Sequence, residues 1–78
     1  MRPDLPSAAQ IRAGRALLGW SQQDLADACQ TSRRTIASFE SGNAVREESV
    51  QAMQNALEVN GIVFLNEGKD EGVRRILQ

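Results

Sequence analysis

Two adjacent arginines, Arg33 and Arg34, are the clearest candidates for chemistry in this sequence. An arginine presents a planar fork of N–H donors that matches guanine O6 and N7. The pair lies in a basic segment, because residues 30–46 hold three arginines and one glutamate, whereas residues 47–71 hold six acids and one lysine. The formal net charge of the chain is −1. Because a local patch governs the approach to a polyanion, the segment around Arg33 is a candidate DNA contact.

Side chains that support enzymatic or metal chemistry are scarce in this chain. It has no histidine and one cysteine. It therefore lacks the commonest general base and a common zinc ligand, and Cys29 has no histidine to activate it. Cys29 falls in an apolar helical pattern, so we interpret it as a structural side chain. We expect no enzymatic activity, no catalytic residue, no bound metal and no cofactor.

Length and composition predict one small globular domain. The chain has 78 residues, of which 41% are hydrophobic, so it can bury a thin core and is unlike disordered sequences. No apolar run approaches the roughly 18 residues of a membrane span, and the N-terminus shows no secretion signal. A lone cysteine cannot form an internal disulfide, which favours the reducing cytoplasm. We expect a cytoplasmic protein with no membrane partner.

Capping residues and apolar spacing predict a mainly α architecture of about four helices. The expected N-caps of the first three helices are Ser7, Ser21 and Ser32. Gln10 and Asp24 follow the first two caps by three residues, as in a capping box. The helices are predicted over about residues 8–18, 22–29, 33–41 and 47–59. Residues 1–6, which hold both prolines, are predicted to form a flexible N-terminal arm, and residues 7–60 the helical domain.

The C-terminal residues 61–78 are predicted to form a short β-hairpin. Residues 62–65 and 73–77 are the expected strands, and residues 66–72 have the composition of a turn. Ile62 and Phe64 alternate with Val63 and Leu65, so both faces of the first strand are apolar. A single hairpin cannot cover both faces. We therefore predict that two chains join through Ile62–Leu77 in a symmetric homodimer; the alternative is that the hairpin covers only its own helices.

The second and third predicted helices are joined by a turn of only three or four residues. Two helices that cross steeply over such a turn need a small side chain at the crossing, which Ala26 supplies. Leu25 and Ile36 are placed to fill the angle between the helices. The third helix then projects with polar residues on its outer face, a shape that can enter the major groove of DNA.

Over about Ile11 to Leu57, this pattern resembles the Xre/Cro-type helix-turn-helix family, to which many phage repressors belong. The residues that carry the resemblance are Arg15, Gly19, Trp20, Ser21, Gln22, Asp24, Leu25, Ala26, Ser32, Arg33, Arg34, Thr35, Ile36, Phe39, Glu40 and Gly42. The resemblance implies a lambda-repressor-like helix-turn-helix bundle. It also implies a prokaryotic or phage-encoded protein that associates with the nucleoid. Gln30 stands where the family usually has glycine, and a positive φ there would cost on the order of 1 kcal/mol.

The resemblance also implies roles for the third helix and its supports. The implied base-reading residues are Ser32, Arg33, Arg34 and Ser38, with Thr35 and Ala37 as secondary candidates. Arg33 or Arg34 is expected to bond guanine; the alternatives are that both touch only phosphate or are an ordinary solvated pair. Arg15 and Glu40 match positions that often form a largely buried ion pair. Trp20 is interpreted as core rather than as a base-stacking side chain.

Phosphate contacts are implied at the second helix and at the loop after the third. The residues concerned are Gln22, Ser41, Asn43 and Arg46. The alternative for Gln22 is an exposed helix-forming residue, and for the others a plain loop. We therefore predict a sequence-specific regulator of double-stranded DNA, acting as a repressor. The alternative is a protein-interaction module, such as an antitoxin whose acidic stretch and apolar tail bind a toxin.

Overall fold

The computed structural model describes residues 5–67 and 70–77, and in these it contains four helices followed by a two-stranded hairpin. The elements are α1 (Ala8–Leu17), α2 (Gln22–Cys29), α3 (Arg33–Glu40), α4 (Glu47–Val59), β1 (Ile62–Glu67) and β2 (Asp70–Arg75). The predicted mainly α fold with a C-terminal hairpin is confirmed. Each helix begins at its predicted residue and ends within one residue of its predicted end.

Local capping explains where the first three helices begin. Ser7 and Gln10 form a complete capping box at α1, and Ser21 and Asp24 form another at α2. The Ser32 hydroxyl accepts a hydrogen bond from the backbone N–H of Thr35 at the start of α3. Each cap satisfies backbone donors that a helix leaves unpaired in its first turn. These helix starts therefore depend on residues only three positions apart.

The core lies between the helices and one face of the hairpin. Its members are Leu5, Ile11, Leu25, Ala26, Ile36, Phe39, Val50, Met53, Leu57 and Ile62. The buried side of α4 carries Val50, Met53 and Leu57, and Phe64 and Val73 pack against the core. Gly14 of α1 is buried, and a Cβ there would lie 3.2 Å from Leu57 and 3.3 Å from Ile62. The absence of a side chain at Gly14 thus lets α1 approach both α4 and the hairpin.

The hairpin extends further than the sequence predicted. Its antiparallel register pairs Ile62 with Arg75 at one end and Glu67 with Asp70 at the other. The predicted turn over residues 66–72 is therefore wrong, because most of these residues are strand. The second strand also ends at Arg75, two residues before its predicted end, although the Ile76 N–H still donates to the Gly61 carbonyl over 2.8 Å.

The last two residues of the predicted N-terminal arm are buried. Leu5 is 7% exposed, and Pro6 is among the fully buried side chains. Both line a cavity with Phe39 and the loop that follows α3. Apolar residues next to an open part of the core gain free energy by covering it, and this outweighs the loop-like composition. Residues 1–4 of the predicted arm lie outside the described residues.

Candidate nucleic-acid interface

Helix α3 is anchored by one face and exposed at its N-terminal turn. Ile36 is fully buried and Phe39 is 4% exposed, whereas Arg33 and Arg34 are both exposed. The first turns of α2 and α4 carry acids, but that of α3 carries none. Cations at a helix N-terminus oppose the helix dipole, at a cost of about 0.3–1 kcal/mol each. Two arginines at this end therefore concentrate positive charge on an exposed surface.

The turn between α2 and α3 contains a residue with positive φ at Gln30, where the family usually has glycine. Gln30 adopts φ 57° and ψ 43°, the left-handed conformation that glycine adopts without strain. The Thr31 N–H donates back to the Ala26 carbonyl over 3.0 Å and closes the end of α2. Leu25, Ala26 and Ile36 are all completely buried at the crossing of the two helices. The motif therefore forms in spite of glutamine at this position.

Arg15 of α1 and Glu40 of α3 form a bidentate ion pair. Arg15 Nη2 lies 2.8 Å from Glu40 Oε1, and Arg15 Nε lies 2.9 Å from Oε2. The Glu40 side chain is 3% exposed and that of Arg15 is 20% exposed. Hydrogen bonding to the carboxylate raises the pKa of the Arg15 guanidinium above its ordinary value. Arg15 also donates to the Trp20 carbonyl over 2.9 Å, so the pair ties the end of α1 to α3.

Gln22 links this buried pair to the exposed arginines. Its amide Nε2 donates to Glu40 Oε1 over 3.1 Å, and its Oε1 accepts from Arg33 Nη1 at 3.5 Å. An ionised carboxylate only accepts hydrogen bonds and a guanidinium only donates them. Glu40 and Arg33 therefore require the observed orientation of the Gln22 amide, with Nε2 towards Glu40 and Oε1 towards Arg33. Gln22 has one further N–H donor available for an anion.

The remaining candidate residues occupy both ends of α3. Ser32 is exposed, and its hydroxyl serves the helix cap and also lies 2.9 Å from the Thr35 hydroxyl. Ser38 is half-buried, so it presents less surface than Arg33 or Arg34. The loop residues Ser41, Asn43 and Arg46 are all exposed beyond the C-terminal end of the helix. The base-reading and phosphate candidates thus share α3 and its flanks but do not form one cluster.

Two side chains interpreted as structural are partly buried. Trp20 and Cys29 both pack against the core, which agrees with the interpretation of each as a packing residue. Burial raises the pKa of the Cys29 thiol, so the thiolate is disfavoured. Within residues 5–67 and 70–77, no group of histidine, cysteine, aspartate or glutamate side chains could hold a metal ion. Over the same residues, no helix is long and apolar enough to cross a bilayer.

Two side chains of α1 make contacts that have no counterpart in the sequence-based predictions. Gln10 donates from Nε2 to the carbonyls of Leu65 and Gly72, at 3.1 and 3.0 Å, and so joins α1 to the hairpin. Arg12 of α1 donates from Nη1 to the Glu40 carbonyl, at the last residue of α3. Both depend on residues more than twenty positions apart, and the capping pattern at Gln10 signalled only its local role.

The fold and the exposed α3 define a class of protein, the DNA-binding helix-turn-helix proteins. A protein-family model described as Helix-turn-helix matches residues 11–63, which is more than half of the chain. The chain belongs to the helix-turn-helix family of the Xre/Cro type and is a DNA-binding regulator. No match was found among the curated proteins.

Proposed function

We propose that the protein binds a specific sequence of double-stranded DNA, with α3 in the major groove, and represses transcription by occupying an operator. The observation that carries this proposal is the exposed Arg33–Arg34 pair at the N-terminal turn of α3, held on a helix whose other face is buried. The N-terminal residues of a recognition helix are those that reach base edges in this motif. Arg33 or Arg34 bonds guanine O6 and N7, and Ser32 and Ser38 contact neighbouring base edges.

The flanks of α3 hold the DNA backbone in this proposal. The remaining amide N–H of Gln22 donates to a phosphate on one side of the groove. Ser41, Asn43 and Arg46 contact the backbone on the other side, where all three are exposed. Such contacts set the register of the protein on the duplex but carry no sequence information. Loss of Arg46 should therefore weaken binding to all sequences alike.

The test begins with selection of bound duplexes from a random pool. Fluorescence anisotropy then compares wild type, Arg33→Ala and Arg34→Ala on the selected operator and on its single-base-pair variants. At least one of the two substitutions should remove about 1–3 kcal/mol of discrimination at one guanine position. Arg46→Ala should leave discrimination unchanged and lower affinity uniformly. If neither arginine variant alters discrimination, the pair does not read bases.

We also propose that the protein acts as a homodimer joined through Ile62–Leu77. Leu65, Ile76 and Leu77 are 37%, 55% and 76% exposed, so the hairpin retains apolar surface after its inner face has covered the core. A two-fold dimer matches an operator with half-sites about one helical turn apart. Light scattering after size-exclusion chromatography tests this, and a monomer at high micromolar concentration would contradict it.

A second candidate function is an antitoxin that binds a basic toxin. It is favoured by Val59, which is 85% exposed at the end of acidic α4, and by its neighbours Ile76 and Leu77. These apolar side chains lie beside both Glu58 and Arg75, so they would contact apolar groups of a partner. The acids of α4, which include Glu47 and Glu48 in its first turn, would attract basic groups of that partner. Co-expression with an adjacent toxin-like gene product tests this candidate. Failure to form a complex at micromolar concentration would remove it.

A further inference from the structure

Arg12 of α1 lies beside α3, the proposed recognition helix, and no sequence pattern indicated a role for it. Its guanidinium donates from Nη1 to the backbone carbonyl of Glu40, the last residue of α3, while the side chain remains exposed. Arg15, three residues later on the same side of α1, holds the Glu40 carboxylate. Arg15 therefore binds the side chain of Glu40, and Arg12 binds the backbone carbonyl of the same residue.

The two arginines differ in how their charges are matched. The charge of Arg15 is paired with a buried carboxylate, which lies 2.8 Å from its Nη2. The described hydrogen-bond partner of Arg12 is a neutral carbonyl, so its positive charge is not neutralised there. A guanidinium has five N–H donors in a fixed fork, of which this bond uses one. Arg12 thus keeps both its charge and donors that can bind a second acceptor.

The surroundings of Arg12 place it next to the loop after α3. Ala8, one helical turn before Arg12, lines a cavity of about 400 Å³ together with Gly42, Asn43 and Ala44. This loop begins directly after Glu40 and includes the exposed Ser41 and Asn43. The C-terminal end of a helix carries partial negative charge, which repels a phosphate unless a cation lies close by. Arg12 supplies that cation at the end of α3.

We propose that Arg12 binds a backbone phosphate of the DNA at the C-terminal end of α3. This rests on the proposed DNA-binding mode, in which Arg33 and Arg34 occupy the opposite end of the same helix. The guanidinium bridges the Glu40 carbonyl and a phosphate oxygen, and it offsets the negative end of the helix dipole. Arg12 therefore contributes affinity and orientation at this site, and it does not contribute sequence preference.

The test compares Arg12→Gln and Arg12→Lys with wild type over a range of salt concentrations. Glutamine keeps an N–H donor for the Glu40 carbonyl but removes the charge, whereas lysine keeps the charge. One lost phosphate contact should reduce the slope of log affinity against log salt by about 0.9. Arg12→Gln should show this reduction on the operator and on its single-base variants alike. Arg12→Lys should keep the wild-type slope.

The matched control is Asn55→Asp, which lowers the net charge by one at an exposed residue of α4, outside the proposed DNA and dimer contacts. Its slope should equal that of wild type, and an equal reduction would mean that net charge alone is responsible. If Arg12→Gln lowers the melting temperature but leaves the slope unchanged, Arg12 only caps α3 and the inference is overturned. If wild type itself shows no preference for any duplex, the proposed sequence-specific function fails instead.

Discussion

The helix-turn-helix body, residues 7–60, and the hairpin, residues 61–77, are held together by different kinds of interaction. The body has completely buried side chains from α1, α2, α3 and α4, including Ile11, Leu25, Ile36 and Met53. In the hairpin segment, Ile62 is 2% exposed, while Leu65 is 37% exposed and the two residues after β2 are more than half exposed. The body is thus stabilised by its own core, whereas the hairpin is attached to that core by one face.

Polar anchors reinforce this difference between the two regions. In the body, Glu40 joins α1, α2 and α3 through Arg15 and Gln22. The hairpin is fixed to α1 by Gln10, which is 2% exposed, and by the Ser7 hydroxyl, which donates to Glu71 over 2.9 Å. At the other end of α1, Arg75 donates to the Leu17 carbonyl over 3.1 Å. The hairpin should therefore loosen without unfolding the body, whereas damage to the body should unfold both.

The largest effect is expected at the centre of the body. Glu40→Ala removes the buried carboxylate that accepts hydrogen bonds from Arg15 and Gln22. The partly buried Arg15 guanidinium and the Gln22 amide then lack this partner. The loss of one partner of a buried pair costs roughly 3–5 kcal/mol. Urea denaturation measures the change in the free energy of unfolding. Glu48→Ala, at an exposed position in the first turn of α4, is the control and should cost about 1 kcal/mol or less. Equal losses would mean that the Glu40 network is not central.

A smaller effect, confined to the hairpin, is expected for Gln10→Glu. Glutamate keeps the capping box, because one carboxyl oxygen still accepts from the Ser7 N–H, but the carboxyl has one donor when protonated and none when ionised, whereas the amide donates to both the Leu65 and Gly72 carbonyls. Acceptors left without a donor cost about 1–3 kcal/mol. Hydrogen exchange should accelerate in β1 and β2 more than in α2 and α3.

The matched variant Gln10→Ala separates the two roles of this side chain. It removes both the cap and the link to the hairpin, so α1 should also lose protection in addition to the strands. If Gln10→Glu accelerates exchange equally in the body and the hairpin, the two regions do not respond separately.

The smallest effect is expected at the turn of the body. Gln30 has φ 57°, a conformation that costs a non-glycine residue on the order of 1 kcal/mol. Gln30→Gly should therefore raise the free energy of unfolding by up to about 1 kcal/mol. The same change at Gln23, inside α2, should lower it by about 1 kcal/mol. Thermal unfolding of both variants checks the opposite signs, and a destabilising Gln30→Gly would contradict the assigned strain.

The features predicted correctly from sequence are those that depend on neighbours along the chain. The caps at Ser7, Ser21 and Ser32 act within three residues, so their positions can be read from the pattern alone. The small residue at Ala26 followed from the short turn between α2 and α3, which forces the two helices close together. The roles of Arg33, Arg34 and the loop residues in DNA binding remain predictions, since their exposure permits contact with DNA but does not show it.

The features that the sequence did not predict arise where distant segments meet. Asn66 and Glu71 have the composition of a turn, yet they pair with each other in the strands of the hairpin. The Ser7 hydroxyl donates to Glu71, and Gln10 of α1 donates to the carbonyl of the neighbouring Gly72. Leu5 and Pro6 resemble a loose arm in sequence but are buried by the fold. Local hydrogen bonds decide where a helix starts, but burial and polar contacts between distant residues exist only after the chain has folded. For that reason the tertiary structure alone determined the hairpin register, the role of Gln10 and the position of Arg12.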